Sequence, residues 1–112
     1  MSNRERESVD VVVTELAKYD LLDIEYYITV DLCNPQAAKR ITDGILDVIE
    51  RLHNNPERYA ILREYIFDKM DVRRVSFDRY NIFYYYDIQC SIVYILRILY
   101  NKADWQNLFY IT

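Results

Sequence analysis

Glycine occurs once in these 112 residues, at Gly44, and proline twice, at Pro35 and Pro56. So few turn formers exclude long irregular loops and low-complexity linkers. A single histidine, His53, excludes a His-based metal site and a Ser-His or Cys-His relay built within one chain. The two cysteines, Cys33 and Cys90, match no metal-ligand spacing, and the polar opening MSNRERES is not expected to act as a signal peptide. Both are expected to be reduced thiols in a cytoplasmic protein. No apolar run reaches the roughly 18 residues of a membrane helix. The longest, SIVYILRILY, is short and is broken by Arg97.

What is present has globular composition: 52 % hydrophobic and 29 % charged residues, with twelve tyrosines, most of them in the second half. Residues 1–112 are expected to form one domain, with residues 1–8 a flexible tail. The net charge of −4 argues against a general nucleic-acid binder. The charge is uneven, however. Residues 1–71 carry nine basic and fifteen acidic side chains, whereas residues 72–112 carry Arg73, Arg74, Arg79, Arg97 and Lys102 against three aspartates.

The β-branched run Val9–Thr14 reads as a short strand. Thr14 then offers an N-cap, with Glu15 in the first helical turn. Ala17, Leu21, Ile24 and Ile28 follow as the stripe of an amphipathic helix ending near Cys33. Asn34 and Pro35 form a new start signal, and Ala38, Ile41, Ile45, Val48, Ile49 and Leu52 line one face of a second helix. It ends at HNNP, and the short connection makes the pair an antiparallel hairpin. Gly44 in mid-helix costs about 1 kcal/mol relative to alanine and marks a close packing approach. Residues 57–71 read as either a helical turn or an irregular crossover. Residues 72–77, 80–87 and 91–100 are strand-length runs that should form an antiparallel meander. The tail, with Asp104 as a cap and Trp105, Leu108 and Phe109 at helical spacing, reads as a short terminal helix.

The resulting class is α+β, a β-α-α-β-β-β order with a helical hairpin on one face of an antiparallel twisted sheet. On the third strand Tyr80, Ile82, Tyr84 and Tyr86 share one side, and Asn81, Phe83, Tyr85 and Asp87 the other. The helices cover one side only, so an exposed aromatic surface is expected on the other. Alternation puts Arg97 with Val93, Ile95 and Leu99 on the last strand. Two placements follow for its guanidinium: away from the helices, stacked on Tyr84 or Tyr85, or paired with a core-edge carboxylate such as Asp87 or Asp20.

The segments AKYDLLDIEYYI, NPQAAKRITDGILDVIERL, YNIFYYYD and IVYILRILYNKADWQNLF, in this order, resemble the RelE/ParE toxin superfamily of bacterial type II toxin–antitoxin modules. The resemblance spans about Val9 to Phe109. It rests on element order together with Arg73, the Tyr-x-Ile-Phe-Tyr strand at 80–84, Arg97, and Asp104 followed by Leu108 and Phe109. The last two strands and YNKADW look more like the ParE branch than the RelE branch. The chain departs from that branch at Tyr100, where histidine is common, and at Ala103, where a basic residue is common.

The resemblance implies a growth-inhibiting toxin of the plasmid-stabilization kind, neutralised by a cognate antitoxin and acting on DNA gyrase, with no cofactor and no metal. Two alternatives stand behind that reading: a ribosome-dependent, metal-independent mRNA interferase, or a degenerate toxin fold that only binds its partner. A nuclease would need cations around the phosphorane and a proton donor, for which Arg73, Arg97, Tyr100 and Lys102 are the candidates, with Arg74 and Tyr110 behind them. For contact with target or antitoxin the candidates are Arg73, Tyr84, Arg97, Tyr100, Lys102 and Trp105.

Overall fold

A computed structural model of the chain describes residues 9–62 and 70–101. The elements are strand β1 (Asp10–Val13), helix α1 (Glu15–Tyr26) running into a π-helical turn (Tyr27–Asp31), helix α2 (Pro35–Arg51), and strands β2 (Val72–Phe77), β3 (Tyr80–Asp87) and β4 (Ile92–Tyr100). The four strands form one sheet in the order β1-β4-β3-β2. The meander is antiparallel, as the strand runs imply, but the sheet as a whole is mixed, because β1 pairs parallel with β4. A parallel neighbour needs a long crossover, and residues 14–91 supply one.

Local chemistry sets the boundaries. The Thr14 hydroxyl accepts from Ala17 N–H, capping α1, and also donates to the Ile95 carbonyl at 2.7 Å, which ties the helix start to β4. At the far end Leu32 N–H reaches Tyr27 O at 3.0 Å, the widened spacing of a π turn. Cys33 then adopts φ 52° and Asn34 N–H closes onto Ile28 O, a left-handed helix stop built without glycine. Asn34 caps α2 through Ala37 N–H, with Pro35 behind it. The two-residue turn from β2 to β3 places Asp78 at φ 55°.

The helices pack on one face of the sheet. Ala17, Ile24, Ile28, Ile41, Ile45 and Ile49 meet Val75, Ile82, Tyr84, Val93, Ile95 and Ile98. Each fully buried isoleucine contributes about 1.5–3 kcal/mol. Gly44 lets helix and sheet approach closely: a Cβ there would overlap the ring of Phe77.

Two expectations about the sheet are corrected. Its second face is not an open aromatic surface along its length. Val72, Phe83 and Leu99 are buried there beneath Leu62 and Leu96. The chain ahead of β2 doubles back along its edge, with Ile61 bridging Arg73 and Leu62 N–H donating to Val72 O, which brings Leu62 against this cluster. Tyr85 and Tyr94, stacked with centroids 6.5 Å apart, remain half-buried. The second correction concerns alternation on β4. Phe83 faces Arg97 but Tyr84 faces Ile95, so Leu96 is an extra residue, a β-bulge. Beyond it the sides exchange: Val93, Ile95 and Ile98 share the helix-side core, while Leu96 and Leu99 join the other cluster. Residues 57–62 form no regular element apart from the bridge, and residues 63–69, the larger part of the 57–71 stretch left open between helical turn and crossover, lie outside the described residues. The flexible tail expected at 1–8 and the terminal helix expected from Asp104 onward lie outside the described residues.

Candidate functional site

The bulge decides what Arg97 does. β1 ends opposite Ile95, so among the described residues the next stretch of β4 has no strand on that side, and α1 packs there instead. Arg97 Nε donates to Asp20 Oδ2 at 2.8 Å and its Nη2 to Oδ1 at 2.9 Å. Ile98 N–H donates to the same carboxylate at 2.9 Å, closing the backbone that the missing strand would have paired. The guanidinium is 21 % exposed and the carboxylate 10 %. The hydrogen bond to Asp20 raises the Arg97 pKa, with burial opposing it. Of the two placements open to Arg97, the carboxylate pair is the one found, and stacking on Tyr84 or Tyr85 is corrected. A fork of two charge-assisted bonds fixes the side chain.

Arg73 and Tyr84 face each other across β2 and β3. Arg73 Nη1 donates to Tyr59 O at 2.6 Å and to Glu57 O at 3.2 Å, and Tyr84 Oη donates to Pro56 O at 2.6 Å. Together they pin the 56–59 segment to the sheet. Tyr84 is fully buried, and burial pushes its phenol up to about 12, against a downward pull from the Arg73 cation. His53 is similarly occupied, its Nδ1 lying 2.6 Å from Val9 O.

Tyr100 stands apart from these. It is 39 % exposed and meets Tyr80 edge to face, with centroids 5.6 Å apart. Burial raises the Tyr80 phenol, and Tyr100 adds to the effect. Both rings line a cleft of about 700 Å³ between the π turn, the start of α2 and the β2–β3 turn. Tyr27, Ile28 and Ile41 form its apolar wall, and Arg40, Arg79, Asp23 and Asp78 its polar rim, with Arg40 Nη1 3.4 Å from Asp78. Lys102 and Trp105 lie outside the described residues. The structure therefore brings Arg73 and Tyr84 together, holds Arg97 separately against α1, and leaves Tyr100 at the cleft. Tyr27, Arg40 and Arg79, which complete that cleft, were not among the sequence candidates. Arg79 in the two-residue turn between β2 and β3, and the pair Tyr26–Tyr27 off the core stripe, were the available signals.

Among the described residues no group of three or more His, Cys, Asp or Glu side chains could hold a metal ion. Cys33 and Cys90 are free and exposed. Among the same residues no helix is long and apolar enough to cross a membrane.

A family model described as the ParE toxin of the type II toxin–antitoxin system parDE matches residues 11–105. Solved structures share the fold. The chromosomal ParDE toxin–antitoxin system from P. aeruginosa contains a chain 19 % identical, with a TM-score of 0.65, covering 83 % of this chain and 96 % of that one. The RelBE2 toxin–antitoxin complex from Mycobacterium tuberculosis gives 20 % identity and a TM-score of 0.62, covering 88 % and 97 %. The archaeal RelE–RelB complex from Pyrococcus horikoshii gives 14 % identity and a TM-score of 0.58, covering 85 % and 97 %. No curated protein sequence matches the chain.

Proposed function

Since this chain belongs to the ParE toxin family of type II toxin–antitoxin systems, we propose that it arrests growth by binding DNA gyrase in the cytoplasm. In this reading it works without cofactor and without cutting RNA, and a cognate antitoxin neutralises it. One observation carries the choice of binding over cleavage. Arg73 is held by the Glu57 and Tyr59 carbonyls and Arg97 by Asp20, so two of the four nuclease candidates serve the chain's own architecture. A phosphorane needs cations aimed at it, and these guanidinium groups are aimed inward. The net charge of −4 points the same way, since docking on ribosomal RNA favours a basic surface. The antitoxin partner is supported by the toxin–antitoxin complexes among the solved relatives. Tyr100, at the rim of the open cleft, is the contact residue this reading favours, together with Lys102 and Trp105 in the chain that follows. Arg73, Tyr84 and Arg97 then act indirectly, by holding the sheet that presents it.

The test is supercoiling of relaxed plasmid by purified gyrase, run beside cleavage of a translated messenger. Supercoiling is expected to fall as the chain is added, with the messenger intact. A cut messenger with unimpaired supercoiling overturns the reading in favour of the interferase. No effect in either assay, with a tight complex on coexpression with the antitoxin, leaves a toxin fold that only binds its partner.

A further inference from the structure

The outer side of α1 is unlike an ordinary solvent face. Leu16, Tyr19, Leu22, Tyr26 and Val30 recur at steps of three, three, four and four, so they form one stripe. It lies opposite the buried stripe of Ala17, Ile24 and Ile28. The five side chains are 58, 60, 58, 63 and 47 % exposed, which leaves most of their apolar surface in water. A helix that is apolar on two opposite sides is built to be covered on both. The stripe spans fourteen residue steps, about 21 Å at the α-helical rise. Tyr27, 50 % exposed, leads from it into the cleft.

The charges beside the stripe choose among occupants. Between residues 15 and 31 the acids are Glu15, Asp20, Asp23, Glu25 and Asp31, and the one base is Lys18. Lys18 sits 3.9 Å from Glu15, and Asp20 is taken by Arg97. A second copy of this face, or any acidic segment, would bring like charges together across an apolar seam. We infer that the outer face of α1 docks a basic amphipathic helix of about four turns, supplied by the antitoxin. The assignment to the antitoxin rests on the toxin reading above. The partner's apolar side, at helical spacing, covers Tyr19, Leu22 and Tyr26. Its flanking lysines or arginines reach Asp23, Glu25 and Asp31.

The experiment uses the full chain and two synthetic eighteen-residue helical peptides, one with leucines on one side and lysines on the other, and one with glutamate for every lysine. Calorimetric titration is expected to show the lysine peptide binding at least about tenfold tighter, a gap of about 1.4 kcal/mol, with the preference shrinking as salt rises. Tyr19→Glu with Tyr26→Glu changes only exposed side chains, and circular dichroism checks that the fold is kept. This variant is expected to lose at least about tenfold in affinity for the lysine peptide. Asp23→Lys with Glu25→Lys is expected to move the preference toward the glutamate peptide. Equal binding of the two peptides, binding of neither, or binding unaffected by Tyr19→Glu with Tyr26→Glu overturns the inference. Gyrase inhibition measured on the same samples separates the two failures: inhibition without lysine-peptide binding sinks the docking face alone, and lysine-peptide binding without inhibition sinks the target assignment alone.

Discussion

Replacing Arg97 with alanine is expected to cost the fold about 2–4 kcal/mol, more than most surface arginines could. Asp20 receives two bonds from the guanidinium, at 2.8 and 2.9 Å, and a third from Ile98 N–H at 2.9 Å. Breaking a fully buried ion pair from one side costs about 3–5 kcal/mol, while an exposed pair is worth about 0–1 kcal/mol. With the guanidinium 21 % and the carboxylate 10 % exposed, this pair sits near the lower end of the buried range. Arg97→Ala leaves the carboxylate with one backbone donor and an incompletely hydrated charge. Asp20→Ala strands the guanidinium and also the Ile98 N–H. Urea denaturation of the two single variants and the double variant gives the coupling directly, and it is expected to be about 2 kcal/mol. The apolar pair Asp20→Leu with Arg97→Met should recover part of the loss, because two charges no longer need to leave water, while the stranded Ile98 N–H still costs about 1–3 kcal/mol. An Arg97→Ala chain within about 0.5 kcal/mol of the parent, with no coupling to Asp20, would refute the strut role and return Arg97 to the list of contact residues.

Gly44→Ala is expected to destabilise by up to about 2 kcal/mol, the cost of driving a methyl into the Phe77 ring less about 1 kcal/mol of better helix propensity. In a Phe77→Ala background the same change should become stabilising, and thermal denaturation of the four chains shows whether the sign reverses. Tyr84 carries an alkaline limit. Its folded pKa, pushed up to about 12, exceeds the ordinary value of 10, so the stability of the neutral buried phenol is complete below pH 10 and is lost as pH rises toward 12. The loss amounts to about 2–3 kcal/mol across that window. Tyr84→Phe should be less stable at neutral pH by about 1–2 kcal/mol, because Pro56 O loses its donor, but should lack that alkaline limb. A stability gap between the two chains that is the same at about pH 9 and about pH 11.5 would contradict this.

Much of the architecture could be read from local residue chemistry. Thr14, Asn34 and Pro35 mark the helix starts because a cap is a short-range interaction visible within four residues. Residues 72–77 and 80–87 are strands with the expected bounds, and the side-chain alternation expected on β3 is the one found. Gly44 marks a close approach because an unexplained glycine in a helix has a cost that packing must offset. Failures came where one residue changes the geometry without changing the composition. The bulge at Leu96 carries no glycine or proline, yet it exchanges the sides of everything after it. The parallel pairing of β1 with β4 joins residues about eighty positions apart, which no local pattern reports. For the site, Asp20 was one of two carboxylates that could answer Arg97, and only the end of β1 opposite Ile95 selects it. The apolar outer face of α1 was written plainly in Leu16, Tyr19, Leu22, Tyr26 and Val30. The inner stripe of Ala17, Ile24 and Ile28 already accounts for the helix, so the outer one adds nothing to the secondary-structure signal.

In the function proposed above, the toxin acts by binding, from a scaffold in which Arg97 is a strut. Supercoiling by purified gyrase in the presence of the Asp20→Leu, Arg97→Met chain tests both halves together. Inhibition within about twofold of the parent chain is the predicted result, a difference of about 0.4 kcal/mol at most. A stable, folded double variant that leaves supercoiling untouched while the parent blocks it would contradict the account.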